Sequence, residues 1–159
     1  MINEIKSREE FLEYWNRGER DFSHCRFAND LDLSYLKLDG INLNKATAKG
    51  LILEQSSISD SKLNGTFLYN AILKNTNAKY IEAKGIFLTH SVIEDCDFRG
   101  ANLENGNFRF VDREQLIMCN LEDTNVKGTE LDFFKKNRNK ISLTILGLLI
   151  LSIPLICFL

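Results

Sequence analysis

Every fifth residue from Leu33 to Phe108 is apolar: Leu33, Leu38, Leu43, Ala48, Leu53, Ile58, Leu63, Leu68, Leu73, Ala78, Ala83, Leu88, Ile93, Phe98, Leu103 and Phe108. A period of five is neither the 3.6 of a helix nor the 2 of a flat strand. It marks a short unit repeated many times, each copy sending one side chain into a shared interior. The position two before each centre is also small or apolar, as in Ile41, Ala46, Ser56, Thr66, Ala71 and Cys96. The position after each centre is polar throughout, except that Tyr69 carries its polarity on a hydroxyl. Two inward and three outward positions per unit therefore predict a solenoid with a narrow packed core.

The flanks follow from the same rule. Ser7-Arg8-Glu9-Glu10 has the form of a capping box, with Ser7 as N-cap and Glu10 reaching back to it. Phe11, Leu12 and Trp15 share one side of a helix expected over 8–17, and Gly18 is placed to end it. That helix suits the open end of the solenoid, because terminal units need a cap. Phe22 and Phe27 begin the beat one register early, and the six-residue step to Leu33 predicts a bulge at Asn29-Asp30. The beat cannot pass Phe108, since the next centre is Arg113 and an unpaired buried guanidinium is too costly. A loop is expected over 110–115, with centres resuming at Leu116, Leu121, Val126 and Leu131.

The units Ala101-Asn102-Leu103-Glu104-Asn105, Ser61-Lys62-Leu63-Asn64-Gly65 and Cys96-Asp97-Phe98-Arg99-Gly100 resemble the A(D/N)LXX motif of pentapeptide-repeat proteins. The entry Gly18-Glu19-Arg20-Asp21-Phe22-Ser23 resembles the stretch that joins the capping helix to the first coil in that family. The resemblance covers roughly residues 8–131 and implies a right-handed quadrilateral β-helix, an all-β solenoid with four pentads per coil. About five and a half coils, with strands ~4.8 Å apart, would make a rod ~25 Å long.

Composition changes sharply after Asp132. All 22 acidic residues lie at or before it, so residues 1–134 carry 16 basic and 22 acidic side chains. A nucleic-acid binder would show a basic stripe instead, and no nucleic-acid partner is expected. Lys135, Lys136, Arg138 and Lys140 then precede an uncharged run, Ile141 to Leu159. Its nineteen residues, at ~1.5 Å each, nearly match a ~30 Å hydrocarbon core. We expect a tail anchor whose basic flank keeps the body cytoplasmic. The same cations are candidates for holding anionic lipid. The alternative is an apolar helix covering the solenoid's open end. The expected organisation is residues 1–18 as capping helix, 19–132 as β-helix, 133–140 as basic juxtamembrane segment and 141–159 as transmembrane helix. The charged first twenty residues lack an apolar run, so no leader is expected. Cys25, Cys96, Cys119 and Cys157 show no paired spacing and fit a reduced compartment.

If residues twenty apart stack, one outward position breaks the polar rule in a pattern. Ile52, Ile72 and Val92 form one ladder, and Phe67 and Phe87 form a second on the adjacent face, extended by Tyr69 and Phe110. Contiguous exposed apolar residues usually mark a partner surface, whereas β-branched and aromatic residues also simply suit strands. Glu54, Lys74 and Glu94 stack with alternating sign and are expected to be an ordinary solvent-exposed ladder. His24 and His90 are too far apart for a metal site, and the inward Ser, Thr and Cys residues are filler rather than nucleophiles. We therefore expect no catalytic, cofactor or metal residues. The expected role is a non-enzymatic membrane-anchored scaffold for an unidentified protein partner or for self-association. Some members of the resembling family mimic DNA and bind type II topoisomerases. That alternative fits less well, because lysines interleave with the acidic residues here.

Overall fold

The computed structural model describes residues 2–129, 131 and 132. The basic segment and apolar run expected within 133–159 lie outside the described residues. Among the described residues no helix is long and apolar enough to cross a membrane.

The body is a parallel β-helix. Bridges join Asp32 to Ile52, Ile52 to Ile72, Lys37 to Ser57 and Asn42 to Lys62, always in parallel and twenty residues apart. Four pentads therefore complete one coil, and each pentad occupies one of four faces. Backbone hydrogen bonds run between coils, as from Leu33 N to Ile52 O at 2.9 Å and from Leu53 N to Ile72 O at 2.8 Å. Most contacts with the next coil are single bridges. Among the described residues only β3 (Ile72–Lys74) and β4 (Val92–Glu94) pair over three residues.

The core is the stack of centres expected from the beat of five. From Leu33 to Phe108 every centre is buried. The second inward column includes hydroxyls, and they are satisfied locally. Thr66 Oγ1 donates to Leu43 O at 2.7 Å, Thr76 Oγ1 to Leu53 O at 2.8 Å and Ser91 Oγ to Leu68 O at 2.9 Å. A buried hydroxyl with such a partner avoids the cost of an unpaired polar group. These residues are buried in the narrow interior beside the centres.

The corners explain the remaining position. Left-handed φ recurs at Tyr35, Gly40, Lys45, Gly50, Gln55 and Asp60, and continues at five-residue steps to Phe110. Each corner turns the chain through this region, which favours Gly, Asn and Asp. That accounts for the Gly, Asn and Asp residues scattered through the column two after each centre.

The N-terminal end differs in detail from expectation. A short strand, β1 (Glu4–Ile5), pairs in parallel with β2 (Arg26–Phe27) and buries Ile5. So residues 1–18 hold a strand as well as α1 (Arg8–Asn16). Ser7 Oγ accepts from Glu10 N at 3.2 Å, as a cap should. Glu10 instead reaches back to Lys6 N, at 2.7 Å, because the preceding strand brings that amide within range. Phe11 is fully buried, with its ring centroid 5.0 Å from Phe22 and 6.3 Å from Phe27. Arg8 donates to Asp32 O and Ser34 O at 2.7 and 2.9 Å, tying the helix to the following coil. The first coil is one residue longer than the twenty-residue coils that follow it, since Arg26 bridges Thr47 at twenty-one residues. Asn29 and Asp30 form one of that coil's turns, and the extra residue lies between the corners at His24 and Asp30.

The far end corrects the expected loop. Phe110 still completes a corner, and α2 (Arg113–Met118) follows, with Asp112 Oδ1 accepting from Glu114 N at 2.8 Å. Leu116 is buried as a helix residue, not as a pentad centre. The array resumes with Asn120 bridging Asp97 at twenty-three residues, which places Leu121 at the next centre. The three extra residues are taken up by α2, which packs against β4.

Candidate interaction face

The outward ladders assemble as the twenty-residue stagger requires. Bridges run Thr47 to Phe67, Phe67 to Phe87 and Phe87 to Asn107 on one face, and Ile52 to Ile72 on the next, where Ile72 pairs with Val92. Phe67 and Phe87 stack with centroids 4.7 Å apart and planes 9° from parallel. Tyr69 lies 6.1 Å from Phe67 and 6.0 Å from Phe87, so three aromatic rings form one cluster. Ile52, Phe67, Ile72, Phe87 and Val92 are each half-buried, because neighbouring coils cover their flanks, and Tyr69 is exposed.

One residue of this face escaped the sequence reading. His90 stacks on Phe110 with centroids 4.5 Å apart and planes 7° from parallel. Phe110 is 69% exposed although its φ is +61°, a conformation unfavourable for a bulky side chain. The signal was the twenty-residue spacing, which places His90 directly before Phe110 in the corner column. The corner pair lies between the two ladders. The Ile52 ladder is bounded above by α2, where Glu94, Asp95, Glu114, Gln115 and Met118 surround a depression of about 200 Å³. The aromatic ladder continues past Phe87 to Asn107.

Some charged side chains elsewhere are paired across coils. Lys74 meets Glu94 at 3.0 Å, Lys84 meets Glu104 at 3.0 Å and Lys79 meets Asp97 at 3.3 Å. Glu54 does not join the Lys74 pair, so that ladder is shorter than expected. Hydrogen bonds from Arg99, the nearest at 2.7 Å, hold the Asp97 carboxyl below its ordinary value. The hydrogen bond from Lys84 does the same for Glu104. These are surface pairs of small individual worth.

No cluster of three or more metal-ligating side chains occurs among the described residues. His24 and His90 stand in different corner columns, each with positive φ. A shallow depression of about 350 Å³ beside β1 is lined by Asn3, Glu4, His24, Arg26 and Thr47. Burial pushes the Cys25 thiol up to about 11, away from the thiolate needed of a nucleophile. Cys96 and Cys119 are also buried, and the Cys96 thiol is pushed up chiefly by its hydrogen bond with Cys119. The topology cations Lys135, Lys136, Arg138 and Lys140 lie outside the described residues.

A family profile described as Pentapeptide repeats matches residues 37–75 in eight copies. Among solved structures, the chain is similar to Rfr23, a pentapeptide repeat protein from the cyanobacterium Cyanothece 51142. That match has 29% identity over 63% of this chain and 59% of the other, with a TM-score of 0.45. It is also similar to a pentapeptide repeat protein of the Arabidopsis thaliana thylakoid lumen, at 21% identity over 65% and 63% of the two chains and a TM-score of 0.49. Full-length QnrB1, a plasmid-mediated fluoroquinolone resistance protein, aligns at 13% identity over 89% and 94%, with a TM-score of 0.30. The chain spans less than two thirds of the first two proteins' lengths. No curated protein matches it.

Proposed function

Because this chain is a pentapeptide-repeat protein, whose fold is the right-handed β-helix, we propose that it is a non-enzymatic scaffold. Its rigid body presents the aromatic and aliphatic ladders to a protein partner, and the apolar run Ile141–Leu159 holds it at a membrane with the body on the cytoplasmic side. The observation that carries the reading is the pair of outward apolar ladders, Phe67 to Phe87 and Ile52 to Val92, on a body whose other outward columns are mainly polar. Apolar side chains that contribute nothing to the central core, yet stack contiguously, fit a docking surface.

We read α1 as the element that closes the solenoid's first coil. Phe11 against Phe22 and Phe27 supports that role. Anchoring is supported by the uncharged run and by Lys135, Lys136, Arg138 and Lys140 on one side of it. Self-association through the same ladders is the second arrangement this surface allows. A DNA-mimic role toward topoisomerases is less well supported, because Lys74, Lys79 and Lys84 neutralise carboxylates along the rod.

Expression of residues 1–134 alone tests the anchor. The expected product is soluble, monomeric and β-rich, while the full chain fractionates with membranes and resists carbonate extraction. Precipitation of residues 1–134 would indicate that the apolar run covers the solenoid instead.

A further inference from the structure

The aromatic face has a charge pattern of its own. From its second coil on, its pentads are 46–50, 66–70, 86–90 and 106–110, and they contain no carboxylate; the first coil of the face, 25–30, carries Arg26 and Asp30, with the Asp30 carboxylate beside Gly50. Over the same coils every other face carries at least two, such as Glu54 and Glu94, Asp60 and Asp97, or Glu82 and Glu104. The cations of those four pentads are Lys49 and Arg109. Neither forms an ion pair among the described residues; elsewhere Lys74, Lys79 and Lys84 do and Lys45 and Lys62 do not. The Arg109 guanidinium lies 5.5 Å from the Phe110 ring instead. Lys49, Tyr69, Thr89 and Arg109 occupy one column, so the two cations bracket the aromatic cluster across three strand spacings, ~14 Å.

Ring orientation narrows the ligand class. Phe67 and Phe87 are parallel at 4.7 Å, which is the spacing of the strands that carry them. Their faces are turned toward each other along the rod, which leaves ring edges toward solvent. A base-stacking platform needs exposed ring faces. Ring edges carry the positive end of the aromatic quadrupole. Positive edges and two unpaired cations, with no carboxylate in the four pentads that carry the aromatic cluster, together favour an anionic partner with apolar side chains.

We propose that this face docks an acidic protein segment, with apolar residues against Phe67, Tyr69 and Phe87 and carboxylates placed to meet Lys49 and Arg109. This rests on the reading of the ladders as a docking surface. The carboxylates must stand ~14 Å apart, which is about four residues of extended chain or about nine of helix.

The test is a selection from a phage-displayed random peptide library on the full chain in detergent. The expected consensus combines Asp or Glu with aliphatic or aromatic residues. Its binding should fall at least about tenfold in the Lys49→Glu/Arg109→Glu variant. It should fall similarly in Phe67→Ser/Phe87→Ser and survive in Lys49→Arg/Arg109→Lys. Unchanged circular dichroism melts show that the charge variants are folded. A basic or uncharged consensus that needs Phe67 and Phe87 but ignores charge reversal would overturn the acidic partner and leave the docking face standing. Peptides that need neither phenylalanine would remove both readings. Displacement of the peptides by oligodeoxythymidine would overturn the proposal in favour of nucleic acid.

Discussion

Phe67 and Phe87 lie one coil apart, bridged backbone to backbone, with their rings stacked at 4.7 Å on the outside of the solenoid. The contact is lateral, between strands, and leaves the central core untouched. Phe67→Ser and Phe87→Ser are each expected to cost only ~1 kcal/mol, with a coupling of ~0.5–1.5 kcal/mol in a double-mutant cycle. Urea denaturation of the two single variants and the double variant measures this. A cost of several kcal/mol per substitution would mean that the rings belong to the core.

Phe11 behaves oppositely. It is fully buried between α1 and the first coil, against Phe22 and Phe27. Phe11→Ala is expected to cost ~3–5 kcal/mol. Hydrogen exchange should show the loss of protection concentrated in β1, β2 and the first coil, because contacts in a solenoid are between neighbours.

Two glycines separate backbone strain from crowding. Gly85 has φ +63° and open space where a Cβ would stand. Gly100 has φ +67°, but a Cβ added there would run into the Tyr80 ring. Gly85→Ala should cost ~1 kcal/mol through the left-handed corner alone. Gly100→Ala should cost more, because the Tyr80 ring must also swing away. Tyr80→Ala in that background should recover the difference, as read from thermal melts.

Much of this architecture is legible in the sequence because one rule generates it. An inward side chain must be apolar or satisfied, so a buried column such as Leu33 to Phe108 appears directly as a period. The corner column carries a weaker mark, since Tyr35, Lys45 and Phe110 adopt the left-handed turn beside glycines and asparagines. Leu116 misled because a buried helix residue is as apolar as a pentad centre, and it falls five before Leu121. β1 left no periodic trace, since two residues are too few to show one. Of the docking face, the stacking of Phe67 on Phe87 was readable from the twenty-residue spacing. The same spacing puts His90 one coil before Phe110, but a corner residue carries no inward or outward rule in the sequence, so the stacking of the two rings is visible only in the structure.

Acid should weaken the rod through its lateral carboxylates. Asp97 accepts from Arg99 at 2.7 Å and pairs with Lys79 at 3.3 Å, and its carboxyl is held below the ordinary value. A carboxyl lowered in the folded state stabilises above its unfolded value, ~3.9, and loses that contribution as pH falls through the folded value. Asp97→Asn should therefore be less stable at neutral pH and show a shallower loss on acidification. Urea midpoints measured from neutral to strongly acidic pH check the slope. A steeper loss in the variant would contradict this assignment.

The docking claim is tested most directly by site-specific photocrosslinking of the full chain in membranes. A photoreactive phenylalanine replaces Tyr69 on the aromatic face or Lys37 on the opposite face, both exposed positions. We expect a discrete protein adduct from the Tyr69 position, lost in Phe67→Ser/Phe87→Ser, and none from the Lys37 position. Equal adducts from both positions, or none from Tyr69, would contradict a partner surface built on Phe67 and Phe87.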